Sequence, residues 1–381
     1  MTITDLLAAP TLIRRTTLKH VGGLFSLALV LSAGVAQAEV VIGVALPRTG
    51  AVASIGDQVL NGVNAAAADV NSKGGINGEK LVLEIQDDAC DPKQAVSVAN
   101  RFMQGKVRLV VGHVCSGASI VASDIYAENG AVMITPASNS AKLTDRGLAG
   151  IFRVCGRDDT QGELAAQLIK DRFQGKKIAI LHDNAPFGRG LADATKANLN
   201  KIGVTEALFA AITPGERDYT AVITRLKAAG IDLVYYGGYH QEMGTLVRQG
   251  AEQAYKAQWF GTSGIASKEF AQIAGAAADG VLMTFNPDAR KREEAAPVVA
   301  SFKQKGIDPE GFTLYGYTAV QALAQAANKA KSIDPKVVDT TLKSARFDTI
   351  LGEVGFDRKG DITAPGYVLY VWKDGNFDYP K

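Results

Sequence analysis

Val110-Val111-Gly112-His113-Val114-Cys115-Ser116-Gly117-Ala118-Ser119 decides how this chain is read. A β-branched apolar run passes into a turn of small residues and then into a helix-like stretch. In an open α/β sheet, ligands settle at the carboxyl ends of strands, where helix N-termini offer unpaired N–H groups. Ser116 therefore stands where an anion would be held, or else it is a plain helix N-cap; spacing alone favours neither. A second strand end, Met133-Ile134-Thr135-Pro136-Ala137-Ser138-Asn139-Ser140, has the same character. Its small polar residues present backbone to a carboxylate or zwitterion, or form a simple turn.

Working outward, the same alternation covers the chain from Val40 onward. Strand-like runs at 40–46, 81–87, 109–113, 131–135, 177–182, 208–212, 233–237, 257–261 and 281–285 are separated by amphipathic stretches at 56–72, 92–104, 119–129, 191–202, 219–229 and 242–252. Nearly all-apolar strands joined by helices predict an α/β fold of parallel sheets covered on both faces. The number of strands calls for two sheets. Polar breaks fall at Gly156-Arg157-Asp158-Asp159, read as a turn before a helix at 161–173, at Asn286-Pro287-Asp288, and near Thr363-Ala364-Pro365-Gly366. Two strand-like runs, 367–372 and 376–379, follow the last break. Three breaks predict two discontinuous lobes joined by a hinge crossed three times: residues 39–157 with 286–365, and 158–285 with 366–381.

Residues 1–38 read differently. Arg14, Arg15 and Lys19 precede an apolar run from Val21 to Val35 that closes on Ala36-Gln37-Ala38, the pattern of a cleavable export leader. The run is about fifteen residues, short of the roughly twenty that span a bilayer. Arg14-Arg15-Thr16-Thr17-Leu18-Lys19 also fits a twin-arginine signal, with Thr17 where a bulky apolar residue is usual, so the Sec and Tat routes both stay open. Removing the leader lowers 41 basic residues to 38 and 39 acidic ones to 38. A balanced chain gives no support to a nucleic-acid partner. All three cysteines, Cys90, Cys115 and Cys155, lie in the exported part, where oxidation is permitted and at most one pair can close.

Catalytic patterns fail on inspection. Gly188-Arg189-Gly190-Leu191-Ala192-Asp193 opens like a dinucleotide fingerprint but has Asp for the third glycine and no strand immediately before it. No phosphate-binding lysine loop, nucleophile elbow or zinc-ligand pair is present. His113, His182 and His240 follow separate strands and read as core or turn residues before metal ligands. A Cys115 nucleophile with His113 as base is set aside as an equally poor reading. Neither a cofactor nor a metal is expected. Phe187 and Tyr239 follow their strands and are candidates to wall a pocket, whereas Tyr235, Tyr236 and Trp259 belong to strand-like runs.

At this point the mature chain resembles the periplasmic leucine/isoleucine/valine-binding proteins of ABC transporters. The matching segments are Asn71-Ser72-Lys73-Gly74-Gly75-Ile76-Asn77-Gly78, Asp87-Asp88-Ala89-Cys90-Asp91-Pro92-Lys93-Gln94-Ala95, Val111-Gly112-His113-Val114-Cys115-Ser116, Ile134-Thr135-Pro136-Ala137 and Tyr235-Tyr236-Gly237-Gly238-Tyr239-His240. The resemblance implies two Rossmann-like lobes of the type I periplasmic binding fold. They would close over an aliphatic amino acid and present it, as a periplasmic monomer, to permease subunits in the inner membrane.

It also implies a disulfide between Cys90 and Cys115 that leaves Cys155 free. Ser116 and Ala137 would hold the ligand's carboxylate and part of its amino group, with Val114 and Ser138 beside them. Phe187, Tyr239 and Phe312 would line the cleft. Three positions depart from the family: Asn139 stands for a threonine, Ile55 for a tyrosine, and Ser263 for the Asp or Glu that pairs with the ligand's ammonium. An enclosed ammonium without that acid forgoes a charge-assisted hydrogen bond of about 1.5–3 kcal/mol. An amine-free carboxylate, such as a 2-oxo or aromatic acid, is therefore the rival ligand. A sensor that reports occupancy to a membrane receptor is the rival role.

Overall fold

The computed structural model describes residues 39–363 and 366–380; the expected leader, residues 1–38, lies outside the described residues. β1 (Glu39–Leu46), α1 (Ala53–Ser72), β2 (Lys80–Asp87), α2 (Pro92–Gln104), β3 (Leu109–Gly112), α3 (Ser116–Glu128), β4 (Val132–Thr135), α4 (Ala141–Asp145) and β5 (Ile151–Arg153) alternate along the chain. Their strands pair in parallel in the order β2-β1-β3-β4-β5. Every residue of β3 and β4 is buried, which is why these strands carry unbroken apolar runs. β5 was not anticipated: its three residues include Arg153, and so short a run with a cation carries little periodic signal.

The chain then builds a second sheet. α5 (Asp158–Arg172), β6 (Ile178–His182), α6 (Pro186–Lys201), β7 (Leu208–Ala211), α7 (Thr220–Ala228), β8 (Leu233–Gly237), α8 (His240–Glu252), β9 (Gln258–Gly261), α9 (Lys268–Ala274) and β10 (Leu282–Phe285) follow in order. It returns to the first sheet through α10 (Ala296–Gln304), α11 (Thr313–Ala330), α12 (Pro335–Ser344) and the small hairpin β11 (Phe347–Thr349) and β12 (Gly352–Val354). α11 packs along α1 and reaches β3 and β4. Gly62 permits this approach, since a Cβ there would stand 1.8 Å from the Thr313 carbonyl oxygen. The chain crosses a third time into β13 (Val368–Lys373) and β14 (Asn376–Asp378). The second sheet thus runs β14-β13-β10-β9-β8-β6-β7.

Two expectations need correction. The second sheet is mixed: β13 runs antiparallel to β10, and β14 antiparallel to β13. These strands arrive by the third crossing and a tight hairpin, with no crossover helix to keep them parallel. Gly156–Asp159 is not wholly a turn, because α5 already begins at Asp158.

Each sheet has one place where neighbouring strands are wound in opposite senses: between β1 and β3 in the first, between β6 and β8 in the second. Crevices open at such switch points.

Candidate functional site

Loops from both switch points converge on one shared cavity. From the first sheet come Ile55 on α1, Val114 and Ser116 after β3, Ala137 and Asn139 after β4, and Phe312 just before α11. The second sheet contributes Phe187 after β6, Tyr239 after β8, and Ser263 and Gly264 after β9. All are buried except Tyr239, which is half-buried.

The polar end is built on β3 and β4. Cys115 is the N-cap of α3 and Ser116 its first residue, so the plain N-cap reading of Ser116 gives way to a hydroxyl beside the positive end of a helix. The Ser140 N–H donates to Ser116 Oγ (3.2 Å), tying the two loops together. The His113 carbonyl accepts from Thr135 Oγ1 (2.6 Å), Ser138 Oγ (3.2 Å) and Ser119 Oγ (3.3 Å). Ser138 is therefore turned into this knot, where it also donates to the Val114 carbonyl (3.0 Å). Unlike its neighbours Ala137 and Asn139, it does not line the cavity. The Ala137 N–H is directed to Thr135 Oγ1 (3.2 Å).

Beneath the knot, His113 Nδ1 lies 2.6 Å from Asp88 Oδ2 and its Nε2 lies 3.0 Å from the Tyr126 hydroxyl. His113 is thus a core residue. The other Asp88 oxygen accepts from the Cys90 N–H (2.8 Å), next to the disulfide that joins Cys90 to Cys115 across a Cα–Cα distance of 5.5 Å. Cys155 is free and buried, and burial pushes its thiol up to about 12. The bond anchors the residue that caps α3, one position before Ser116.

The opposite wall is mostly apolar. The rings of Phe187 and Tyr239 pack with centroids 5.2 Å apart. Burial, reinforced by nearby carboxyls, holds the Tyr239 phenol neutral. Gly264 was not anticipated as a lining residue. A Cβ there would stand 2.2 Å from the Gly238 carbonyl oxygen and 2.8 Å from Phe187, so the loop after β9 closes on β8 only with glycine. Ser263 Oγ donates to Gln161 Oε1 (3.2 Å), while Gln161 Nε2 donates to the Thr284 carbonyl and hydroxyl (both 2.9 Å). Asn139 Nδ2 donates to the Gly156 carbonyl (3.3 Å) and to the Tyr367 hydroxyl, where the chain crosses between sheets. No lining residue carries a charge.

Side chains also bond across the cleft. Gln58 on α1 donates from Nε2 to the Ala266 carbonyl (3.0 Å) and accepts from the Phe312 N–H (3.0 Å). Ser54 Oγ lies 3.2 Å from His240 Nε2, which donates to Glu269 Oε2 at 2.9 Å. Lys268 Nζ meets Asp308 Oδ2 at 2.6 Å. His240 is thus spent on a contact between the two halves.

Comparison with known proteins agrees with this architecture. A family model described as periplasmic binding protein matches residues 39–376. The Leu/Ile/Val-binding protein homolog 1 of Brucella abortus is 47% identical over 92% of this chain and 96% of its own length. An amino acid binding protein of Pseudomonas aeruginosa is 48% identical over 89% of this chain and 91% of its own. Among solved structures, the leucine binding protein LivK of Thermotoga maritima superposes with a TM-score of 0.83 at 26% identity, covering 90% of this chain and 98% of that one. With two oppositely placed switch points, one shared cavity and a match along nearly the whole described chain, the protein belongs to the periplasmic binding protein family.

Proposed function

We propose that this protein is the solute-binding component of an ABC importer and that its ligand is a branched-chain aliphatic amino acid. Carrying this reading is the make-up of the cavity: Ile55, Val114, Phe187 and Phe312 offer an apolar slot, and Ser116, Ala137 and Asn139 offer a polar end at the start of α3. An α-amino acid is polar at one end and apolar at the other. Burying a leucine-sized side chain contributes about 1.5–3 kcal/mol, and the helix terminus with the Ser116 hydroxyl suits the carboxylate. The names of the relatives from Brucella and Pseudomonas support the same ligand class.

In this reading residues 39–157 with 286–365 and residues 158–285 with 366–381 move as two bodies. They close over the ligand, exclude water and present the closed form to permease subunits of the inner membrane. The protein works as a monomer in the periplasm after removal of residues 1–38, and it binds without turning over its ligand.

A second reading, an amine-free acid such as a 2-oxo acid, is favoured by the uncharged cavity wall and by the engagement of Ser263 with Gln161. Thermal-shift measurements on ligand-free mature protein separate the two. A ligand at about 100 times its Kd adds about 2.7 kcal/mol to stability, a rise of about 4 °C for a chain of this size. Leucine, isoleucine or valine is expected to give that rise. A response confined to 4-methyl-2-oxopentanoate or benzoate would replace the amino acid by an amine-free acid.

A further inference from the structure

A zwitterionic ligand brings an ammonium into a wall that has no charge of its own. One carboxylate behind that wall is without a partner. Asp158, the first residue of α5, is 2% exposed, and neither of its oxygens has a hydrogen-bonding partner. Buried polar groups are ordinarily bonded, and an unpaired buried carboxylate is among the costlier exceptions.

Its neighbours connect it to residues of the cavity. The Asp158 N–H donates to the carbonyl of Asn139 (2.9 Å). One helical turn on, and so on the same face of α5, Gln161 accepts from Ser263. Asp158 Oδ2 lies 3.8 Å from where a Cβ on Gly190 would stand, one turn beyond Phe187 on α6. The Tyr239 phenol feels its charge. Asp158 is thus tied to the cavity lining through its backbone bond to Asn139 and stands one helical turn from Gln161, the partner of Ser263.

The two guanidinium groups nearest in sequence are committed elsewhere. Arg153 donates to Asp361, to the carbonyls of Ser138 and Ser140, and to Thr144. Arg157 is held by Asp159, Asp145 and Asp361.

We infer that Asp158 is the counter-charge for the ligand's ammonium, standing in for the acid that Ser263 does not supply. The inference rests on the amino-acid reading above and names the residue that makes it physically workable. Burial pushes the Asp158 carboxyl up to about 8, opposed by Arg153 and Arg157 and reinforced by Asp159. Tyr235, Tyr239, Tyr367 and Cys155 also face it, and burial keeps each of them neutral. Among the described residues no cation is bonded to the Asp158 carboxyl, and an ammonium arriving with the ligand would supply one.

Asp158→Asn in the mature chain tests this, read by calorimetric titration with leucine and by the melting temperature of the ligand-free protein. The expected result is a Kd for leucine raised about 10- to 100-fold with a melting temperature held or raised, because an unpartnered buried carboxyl has been removed. A first-turn acid serving only the dipole of α5 would give the reverse: a lower melting temperature and unchanged affinity. If both fall, Asp158→Asn with Ser263→Asp decides, since it returns an acid to the cavity wall without restoring the charge at the start of α5. Recovery of leucine affinity supports the inference, and no recovery overturns it. A single variant that binds leucine as tightly as wild type overturns it and leaves the proposed function standing. Wild-type protein that binds none of leucine, isoleucine and valine removes both.

Discussion

Gln58→Met tests how much of the binding energy comes from closing the cleft. The substitution keeps chain length and volume, so packing changes little, and removes both polar contacts of a 5% exposed side chain. One contact, to the Ala266 carbonyl, spans the two halves; the other, from the Phe312 N–H, stays within the first. Ala266 is fully buried, so its carbonyl would be left without a partner while the halves are closed, whereas opening would return it to water. An orphaned buried acceptor costs about 1–3 kcal/mol. Charged to the closed form alone, that weakens leucine binding about 5- to 150-fold. The exposed pair Lys268–Asp308 also crosses the cleft, with side chains 39% and 40% exposed. Such pairs contribute about 0–1 kcal/mol, so Lys268→Ala should weaken binding by less than about sixfold. Titration calorimetry reads both, and small-angle scattering at saturating leucine checks that each variant still closes. Gln58→Met with affinity within twofold of wild type would show that the buried bond contributes nothing specific to the closed form.

Replacing Cys90 and Cys115 by serine should lower stability by about 3.5 kcal/mol in urea unfolding, the chain-entropy value for a sequence separation of 25. A loss under about 1 kcal/mol would mean that the unfolded chain already keeps this loop closed. The pH dependence of the ligand-free protein should carry a mark of Asp158. Its carboxyl is raised in the folded state to about 8 from 3.8, so the folded chain binds more protons between those values, and this residue's share of stability is lost as pH rises from about 4 to about 8. The difference in stability between wild type and Asp158→Asn should shift in that direction across that window; parallel curves would contradict the assignment.

Local pattern sufficed for much of the fold. Strands such as Leu233–Gly237 and helices such as Pro92–Gln104 are legible because burial and periodicity are written into neighbouring residues. Helix starts were less legible. α3 and α5 each begin three residues before the stretches expected at 119–129 and 161–173, since first-turn positions are chosen for their end groups and not for packing. Phe187 and Tyr239 could be suspected from their place after strands, whereas Ile55, Phe312 and Ser263 entered through family resemblance. Gly264 carried a signal only in hindsight, as a glycine at a strand end.

Local pattern, then, carries the alternation of buried strands with amphipathic helices, and the resemblance of whole segments carries the family. Tertiary structure decided which positions meet. Ile55 and Phe312 share a wall across more than two hundred residues, Ser138 turns inward while Ala137 and Asn139 line the cavity, and Asp158 loses solvent without gaining a partner. The physical reason is that strand and helix character is a local property of the chain. The burial and pairing of a polar group depend on every element that packs around it, and no local window contains them all.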